Sequence, residues 1–331
     1  MNALVLGSAG FLGANLVRAL VAKGITPTCG RRPRTNVLTL RGLKVPFAMT
    51  DLDSPEELRA AMTGHDVVFH LAGHYPKFSF DRQGAIRLGL RQLENVLDAA
   101  AATGVKRVIY VSSTATVAPA AGRASNEGDV FDAPPGFGTY HDLKWLLEAR
   151  ALNESRTEVL VACPAACIGA WDLRVGTSAL LVALARGMDP KHPDGIVSIV
   201  DPEDVARGLI ALAEVERPPK RVLLSGGSHA LHALLDAVAL RYKVAPPSAP
   251  ISAADAIALA DASEHRAATE GGRPELSREI VDLVIHGVNL DASASLALID
   301  AYTPLSVTLD RFDAWAQRMR LVPRPLVLEP T

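Results

Sequence analysis

Apolar positions in the first half of the chain fall into two alternating patterns. Residues 3–6, 26–29, 45–48, 66–71, 107–112 and 158–163 are short, mostly apolar runs bounded by glycine, proline or polar clusters, as strands are. Between them, 12–22, 54–62, the Ala-rich stretch ending near Gly104 and 139–152 carry apolar residues at helical spacing. Val67-Val68-Phe69 and Val108-Ile109-Tyr110-Val111 are apolar at successive positions, as in strands covered on both faces. Strands alternating with helices imply right-handed crossovers. The expected class is therefore α/β, a doubly wound parallel sheet followed by a smaller, mainly helical C-terminal region.

After Pro164 the alternation loosens. Residues 196–200 and 221–224 read as further strands and most of 231–321 as helical, with Pro246-Pro247-Ser248-Ala249-Pro250 an extended break. The Pro-rich stretch 323–330 reads as a surface tail. The expected division is a dinucleotide-binding domain over 1–165, to which 196–225 returns, and a substrate-binding region made of 166–195 and 226–331.

Composition narrows the partners. The chain has 331 residues and a formal net charge of −2, which argues against a nucleic-acid partner. No apolar run reaches the roughly 18–20 residues that cross a bilayer. Met1 leads directly into an apolar run with no basic segment before it, so the expected address is cytoplasmic. Cys29, Cys163 and Cys167 form no Cys-x-x-Cys and read as small buried hydrophobes. No metal site is expected: His229 and His232 are the only close helical histidine pair and lack a third ligand nearby.

The candidate chemistry begins at the first strand. Gly7-Ser8-Ala9-Gly10-Phe11-Leu12-Gly13 lies between that strand and a helix start. Gly7 suits a tight turn, Gly10 a close approach to a pyrophosphate, and Gly13 tight helix–strand packing; the helix N-terminus favours phosphate. This is the Rossmann-type arrangement, with Ala9, Gly10, Phe11 and Leu12 against the cofactor. NAD enzymes usually place a carboxylate at the end of the second strand. Here Arg31-Arg32 stand there, and no Asp or Glu occurs before Asp51. Guanidinium groups suit a 2′-phosphate, so NADP is favoured over NAD.

Tyr140 and Lys144 sit at i and i+4 on one helix face. An ammonium beside a phenol would stabilise phenolate and lower the tyrosine pKa toward the working range. The hydroxyl cluster Ser112-Ser113-Thr114 lies at the end of the preceding buried strand.

These motifs and others resemble the extended short-chain dehydrogenases/reductases of the epimerase/dehydratase superfamily. Gly7-x-x-Gly10-x-x-Gly13, Asp51-Leu52, His70-Leu71-Ala72-Gly73, the 111–117 hydroxyl segment and Tyr140-x-x-x-Lys144 appear in family order. So do Pro164-Ala165-Ala166-Cys167-Ile168-Gly169, Val200-Asp201-Pro202-Glu203-Asp204-Val205-Ala206 and Tyr302-x-Pro304-x-Ser306. The resemblance covers almost the whole chain. It is nearest in flavour to the dihydroflavonol-reductase, 3β-hydroxysteroid-dehydrogenase and hopanoid-associated epimerase-like branch, of which 189–195 is also reminiscent.

The resemblance implies roles. Tyr140 would be the acid in carbonyl reduction or the base in alcohol oxidation, and Lys144 would hold the nicotinamide ribose. Thr114, with Ser113 a close second, would hydrogen-bond the substrate oxygen. Asp51 and Leu52 would border adenine; Leu71, Ala72, Gly73, Ser112, Pro164 and Cys167 would line the cofactor cleft. His70 is expected in the core. Relatives carry Asn-Val-x-Gly-Thr where this chain has Gly89-Leu90-Arg91-Gln92-Leu93, so the asparagine of their water-linked proton path is missing. His74, Tyr75 and Lys77 read equally as substrate-facing or as surface loop. A homodimer through first-half helices is common among relatives.

Three functions fit. The first is an NADP-dependent ketone/alcohol oxidoreductase acting on a small, fairly apolar molecule such as a sterol, isoprenoid, flavonoid-like or polyketide-derived ring. The second is a nucleotide-sugar epimerase or dehydratase, and the third a non-enzymatic NADP sensor. Arg31-Arg32 and the aliphatic run 179–184 favour the first.

Overall fold

The computed structural model describes residues 1–76 and 78–323. The Pro-rich stretch beyond Pro323 and Lys77 lie outside the described residues. Seven strands form one parallel sheet: β1 (Ala3–Leu6), β2 (Thr28–Arg31), β3 (Phe47–Met49), β4 (Val67–His70), β5 (Arg107–Val111), β6 (Glu158–Pro164) and the late strand β9 (Arg221–Leu224). Their order is β3-β2-β1-β4-β5-β6-β9, so the chain reverses direction across the sheet between β1 and β4. Open α/β sheets bind ligands outside the carboxyl ends at such a point.

Side chains of successive strand residues go to opposite faces. Val5, Phe69, Ile109 and Leu160 pack under α1 (Phe11–Ala22) and α6 (Pro202–Glu214). Leu4, Leu6, Val68, Val108 and Val161 pack under α2 (Pro55–Met62), α3 (Arg82–Thr103) and α4 (Thr139–Leu152). Local signals agree with this. Ser54 caps α2 by accepting from the Glu57 amide, with Pro55 in the first turn, and Gly104 ends α3 at φ +71°.

Two strands begin later than the apolar runs suggest. Residues 26–29 and 45–48 contain Pro27 and Pro46, which have no amide to donate, and β2 and β3 start directly after them. Arg31 therefore closes β2 rather than following it.

A second, smaller sheet of order β10-β8-β7 joins β7 (Ala166–Cys167), β8 (Ile196–Val200) and β10 (Gly227–Ala230). Residues 196–200 thus do not return to the large sheet with 202–225: β8 pairs with β7 in parallel and β10 in antiparallel. Around this sheet lie α5 (Ala179–Ala185), α7 (Leu231–Tyr242), α8 (Ala253–Glu270), α9 (Arg278–Ile285), the single turn α10 (Leu296–Ile299) and α11 (Leu305–Arg318). Leu181, Leu184, Ile199, Leu235, Phe312 and Trp315 form its core. The aliphatic run 179–184 is therefore core packing and no argument for an apolar substrate.

The late motifs act as clamps. Asp201 caps α6 through the Glu203 amide and also accepts from Thr308 and Arg311 of α11. Asp204 accepts from the amide and hydroxyl of Thr303 at 2.6 and 2.8 Å. His232 faces His192 rather than His229, with ring nitrogens 3.1 Å apart. All three cysteines are free and buried.

Candidate active site

The glycine turn follows β1 at the point where the sheet reverses. Gly7 has φ +81°, and a Cβ there would lie 2.8 Å from the Ala72 amide nitrogen. A Cβ on Gly13 would lie 2.1 Å from the Gly7 carbonyl oxygen. Helix α1 is capped by Gly10 with no side-chain hydrogen bond, which leaves the first-turn amides of Phe11 and Leu12 open toward an anion. Ser8 and Thr39 brace the turn, donating to the Gly30 and Ala9 carbonyls at 2.9 and 3.0 Å.

The end of β2 fits a nucleotide phosphate. Arg31 is half-buried, its guanidinium 5.1 Å from the Phe47 ring centroid, and its Nε is buried without a hydrogen-bond partner. Neither Arg31 nor Arg32 forms an ion pair among the described residues. A donor kept buried and unsatisfied is costly, and an external phosphate would satisfy it. Beside it, Asp51 accepts from the Asp53 amide, and buried Leu52 receives Asn95 Nδ2 on its carbonyl. Leu71 and Ala72 leave β4 half-buried and Gly73 is exposed. Pro164 closes β6, and Cys167 of β7 is buried with its thiol on the Ala165 carbonyl at 3.3 Å.

Three contacts hold the start of α4, which carries Tyr140. Thr139 Oγ1 donates to the Ser79 carbonyl at 2.5 Å. Asp142, almost fully buried, accepts from the Gly136 amide and pairs with Arg82, each at 2.7 Å. Lys144 Nζ reaches the Val111 carbonyl at 3.4 Å and lies 5.8 Å from the Tyr140 ring centroid. Tyr140 hydrogen-bonds the Ser113 hydroxyl. Ser113 meets the phenol, and it caps the 3₁₀ turn over 114–116 by accepting from the Ala115 amide at 3.2 Å.

The electrostatics differ from the expectation for a Tyr–Lys pair. Burial pushes the Tyr140 phenol above its ordinary range, and the Glu279 carboxylate pushes it further, while the Ser113 bond pulls the other way. Burial also lowers Lys144. Desolvation dominates here and raises the phenol, the opposite direction to that expected of a Tyr–Lys pair.

Ser112 turns away from this group. Side chains alternate along the strand, and the Ser112 hydroxyl donates to Glu148 Oε2 at 2.5 Å while its amide bonds the Ala162 carbonyl. The same carboxylate accepts from Thr116 at 2.8 Å and pairs with buried Arg221 at 2.6 Å. With hydroxyl and amide both engaged, Ser112 has neither to offer a cofactor. Nothing in the local sequence flags Glu148 and Arg221, which are brought together only by the tertiary fold.

A pocket opens in front of Tyr140, lined by Ser79, Thr139, Glu264, Ser277, Glu279 and Asp282 among others. Tyr75 belongs to this side: its ring lies 5.5 Å from the Tyr140 ring and its hydroxyl donates to Glu279. Glu264 is satisfied by the amide and hydroxyl of Ser79 and the Arg278 amide, and Asp282 pairs with Arg278 at 2.7 Å. Glu279 forms no ion pair among the described residues. Burial raises its carboxyl to about 7, against opposing pulls from Tyr75 and Lys144. His74 is half-buried, with its pKa lowered by burial. His70 lies in the core beside Tyr110 and is lowered to about 3 by burial.

Gly89, at the position of the missing asparagine, faces α4. A Cβ there would lie 2.7 Å from Leu143 Cδ1, so Leu143 fills the space a larger side chain would need.

A glycine turn at the reversal point of a parallel sheet, feeding a helix with open amides, defines a nucleotide-binding α/β protein. Residues 3–161 match the model of the NAD dependent epimerase/dehydratase family. A putative dihydroflavonol 4-reductase of Synechocystis sp. is 28% identical over 208 residues, 62% of this chain and 60% of that protein. Sterol demethylase protein B of Methylococcus capsulatus is 34% identical over 177 residues, 53% of this chain and 54% of that protein. The chain thus spans about 60% or less of these relatives. A nucleoside-diphosphate-sugar epimerase from Pseudomonas aeruginosa shares the fold with a TM-score of 0.77 at 23% identity, over 98% of this chain and 99% of that one. Among the described residues no helix is long and apolar enough to cross a membrane.

Proposed function

We propose that the chain is an NADP-dependent oxidoreductase that interconverts a ketone and a secondary alcohol on a fairly apolar ring-bearing molecule of the sterol, isoprenoid, flavonoid or polyketide kind. The group around Tyr140 carries this reading: Lys144 and Ser113 stand beside the phenol, and the pocket in front of it is walled by α8 and α9. The pocket's described lining includes the three carboxyl groups of Glu264, Glu279 and Asp282, which would repel the diphosphate of a nucleotide sugar placed against them. The relatives named for flavonoid and sterol substrates support the same choice.

In this reading Tyr140 donates its phenolic proton to the substrate oxygen, a task suited to a phenol that burial keeps protonated. Ser113 orients that oxygen together with Tyr140. Lys144 holds the nicotinamide ribose, and the bound nicotinamide supplies or accepts hydride. The open amides at Phe11 and Leu12 receive the pyrophosphate, and Arg31 and Arg32 the 2′-phosphate. A homodimer and a cytoplasmic setting belong to the same reading, the first checked by light scattering.

The test is a cofactor-coupled absorbance screen of ring ketones and alcohols with wild type and Tyr140→Phe. Removing a general acid should lower turnover by about 10²–10⁴-fold. Turnover that survives intact in Tyr140→Phe refutes the role. UDP-sugar conversion without net cofactor use refutes the substrate class. Arg31→Ala with Arg32→Ala should raise KM for NADPH far more than for NADH; equal effects refute the NADP assignment.

A further inference from the structure

After each reduction Tyr140 is left as phenolate and must be reprotonated, yet its surroundings close most routes. Lys144 is hemmed between the Val111 carbonyl and the rings of Tyr110 and Tyr140. The route through α3 is shut at Gly89 by Leu143. On the pocket side stands Glu279, carried in the first turn of α9 and sharing the pocket wall with Tyr140. Its carboxyl receives the Tyr75 hydroxyl, and Tyr75 is 55% exposed. The other two pocket carboxylates are committed, Glu264 to Ser79 and the Arg278 amide, and Asp282 to Arg278.

We propose that Glu279, with Tyr75, is the proton relay that recharges Tyr140 from solvent, an assignment that rests on the acid role of Tyr140 proposed above. In the reducing direction hydride adds to the carbonyl carbon and the Tyr140 proton passes to the carbonyl oxygen, leaving phenolate. The Glu279 carboxyl gives its proton to that phenolate, and the resulting carboxylate takes a proton from water at the Tyr75 side. The groups that set its titration are Tyr75 from the loop after β4, Lys144 from α4, Glu264 from α8 and Asp282 from α9. Burial and the two carboxylates raise it, Lys144 and the Tyr75 bond lower it, and the balance lies at about 7. Below that pH the relay is loaded; above it the proton is gone, so kcat for reduction falls as pH rises through this range.

The test pairs kinetics with a readout that needs no substrate. Carbon-13 NMR of glutamate-labelled protein should show a carboxyl titrating near 7 that is absent in Glu279→Gln. With the best ketone from the screen, Glu279→Gln should lower kcat about 10-fold or more, leave KM within about twofold, and lose the wild-type fall in kcat near neutrality. Glu279→Asp should restore part of kcat. A carboxyl titrating in the ordinary range between 4 and 5 overturns the relay even where no ketone is turned over. An unchanged pH profile overturns it as well, and so does a rise in KM alone, which would mark Glu279 as a substrate contact. Intact turnover in Tyr140→Phe overturns the acid assignment itself; an inactive Tyr140→Phe beside an unaltered Glu279→Gln overturns only the relay.

Discussion

Glu148→Ala should be among the most damaging single changes outside the pocket. Glu148 and Arg221 are 4% and 9% exposed, so solvent screens their pairing little. Removing the carboxylate leaves a buried guanidinium without counter-charge, at a cost of about 3–5 kcal/mol. Arg221 keeps the Glu127 carbonyl at 2.6 Å and the Thr116 hydroxyl at 3.0 Å, which places that loss near the lower end. Ser112 loses its acceptor as well, adding about 1 kcal/mol, while Thr116 keeps the Ser113 carbonyl at 2.8 Å. The expected total is roughly 4–5 kcal/mol, read as the drop in unfolding free energy from urea titrations. Arg221→Met combined with Glu148→Leu removes both charges and should recover much of the loss, because replacing a buried pair by apolar side chains is often close to neutral. A cycle built from Glu148→Leu, Arg221→Met and their double variant should show coupling of about 2 kcal/mol or more. A cost below about 1 kcal/mol for Glu148→Ala, or strict additivity in the cycle, would refute the reasoning.

Gly13→Ala places a methyl group 2.1 Å from the Gly7 carbonyl oxygen and should abolish nucleotide binding, followed by quenching of intrinsic fluorescence; Gly64→Ala, where a Cβ meets nothing within 4 Å, should bind normally and lose only about 1 kcal/mol of stability from its positive φ. Gly89→Asn, although it restores the relatives' residue type, should destabilise by about 1–3 kcal/mol because Leu143 must move, and should not raise kcat. His141 is buried with Nδ1 unpartnered, and burial lowers it to about 4 in the folded chain. Its folded value lies below the unfolded value near 6.5, so the stability it contributes is present above that pH and is lost as pH falls toward 4. Between pH 7 and pH 5 the loss should be about 2 kcal/mol, and His141→Gln should flatten that part of the pH–stability curve relative to wild type.

Strands that are buried on both faces declare themselves by unbroken apolar runs, and 196–200, 221–224 and the helix over 139–152 lie where the pattern places them. The misplaced ends are local chemistry: Pro27 and Pro46 move β2 and β3 later, and this sets Arg31 at the strand end. Strand β10, Gly-Ser-His-Ala, is polar and half-buried at a sheet edge, so it has no apolar signature. Which sheet β8 joins is likewise invisible, because periodicity records burial and not partners. The Tyr140–Lys144 spacing is legible as one helix face. The sign of the Tyr140 shift is not, since it depends on desolvation and on Glu279, which arrives from a distant helix. Alternation along β5 does allow the opposite directions of Ser112 and Ser113 to be read, once the strand's end is known.

The chain passes between its two sheets three times within a residue or two: at Ala165 between β6 and β7, at Asp201 between β8 and α6, and at Ser225-Gly226 between β9 and β10. Ala165 still hydrogen-bonds the Leu224 carbonyl, and the Gly226 amide bonds Ile199, so these crossings are stitched to both sides. Such a weave makes the two halves inseparable as cassettes. A fragment ending at residue 165 would expose the edge of β6 that β9 covers and the face of α1 that α6 covers.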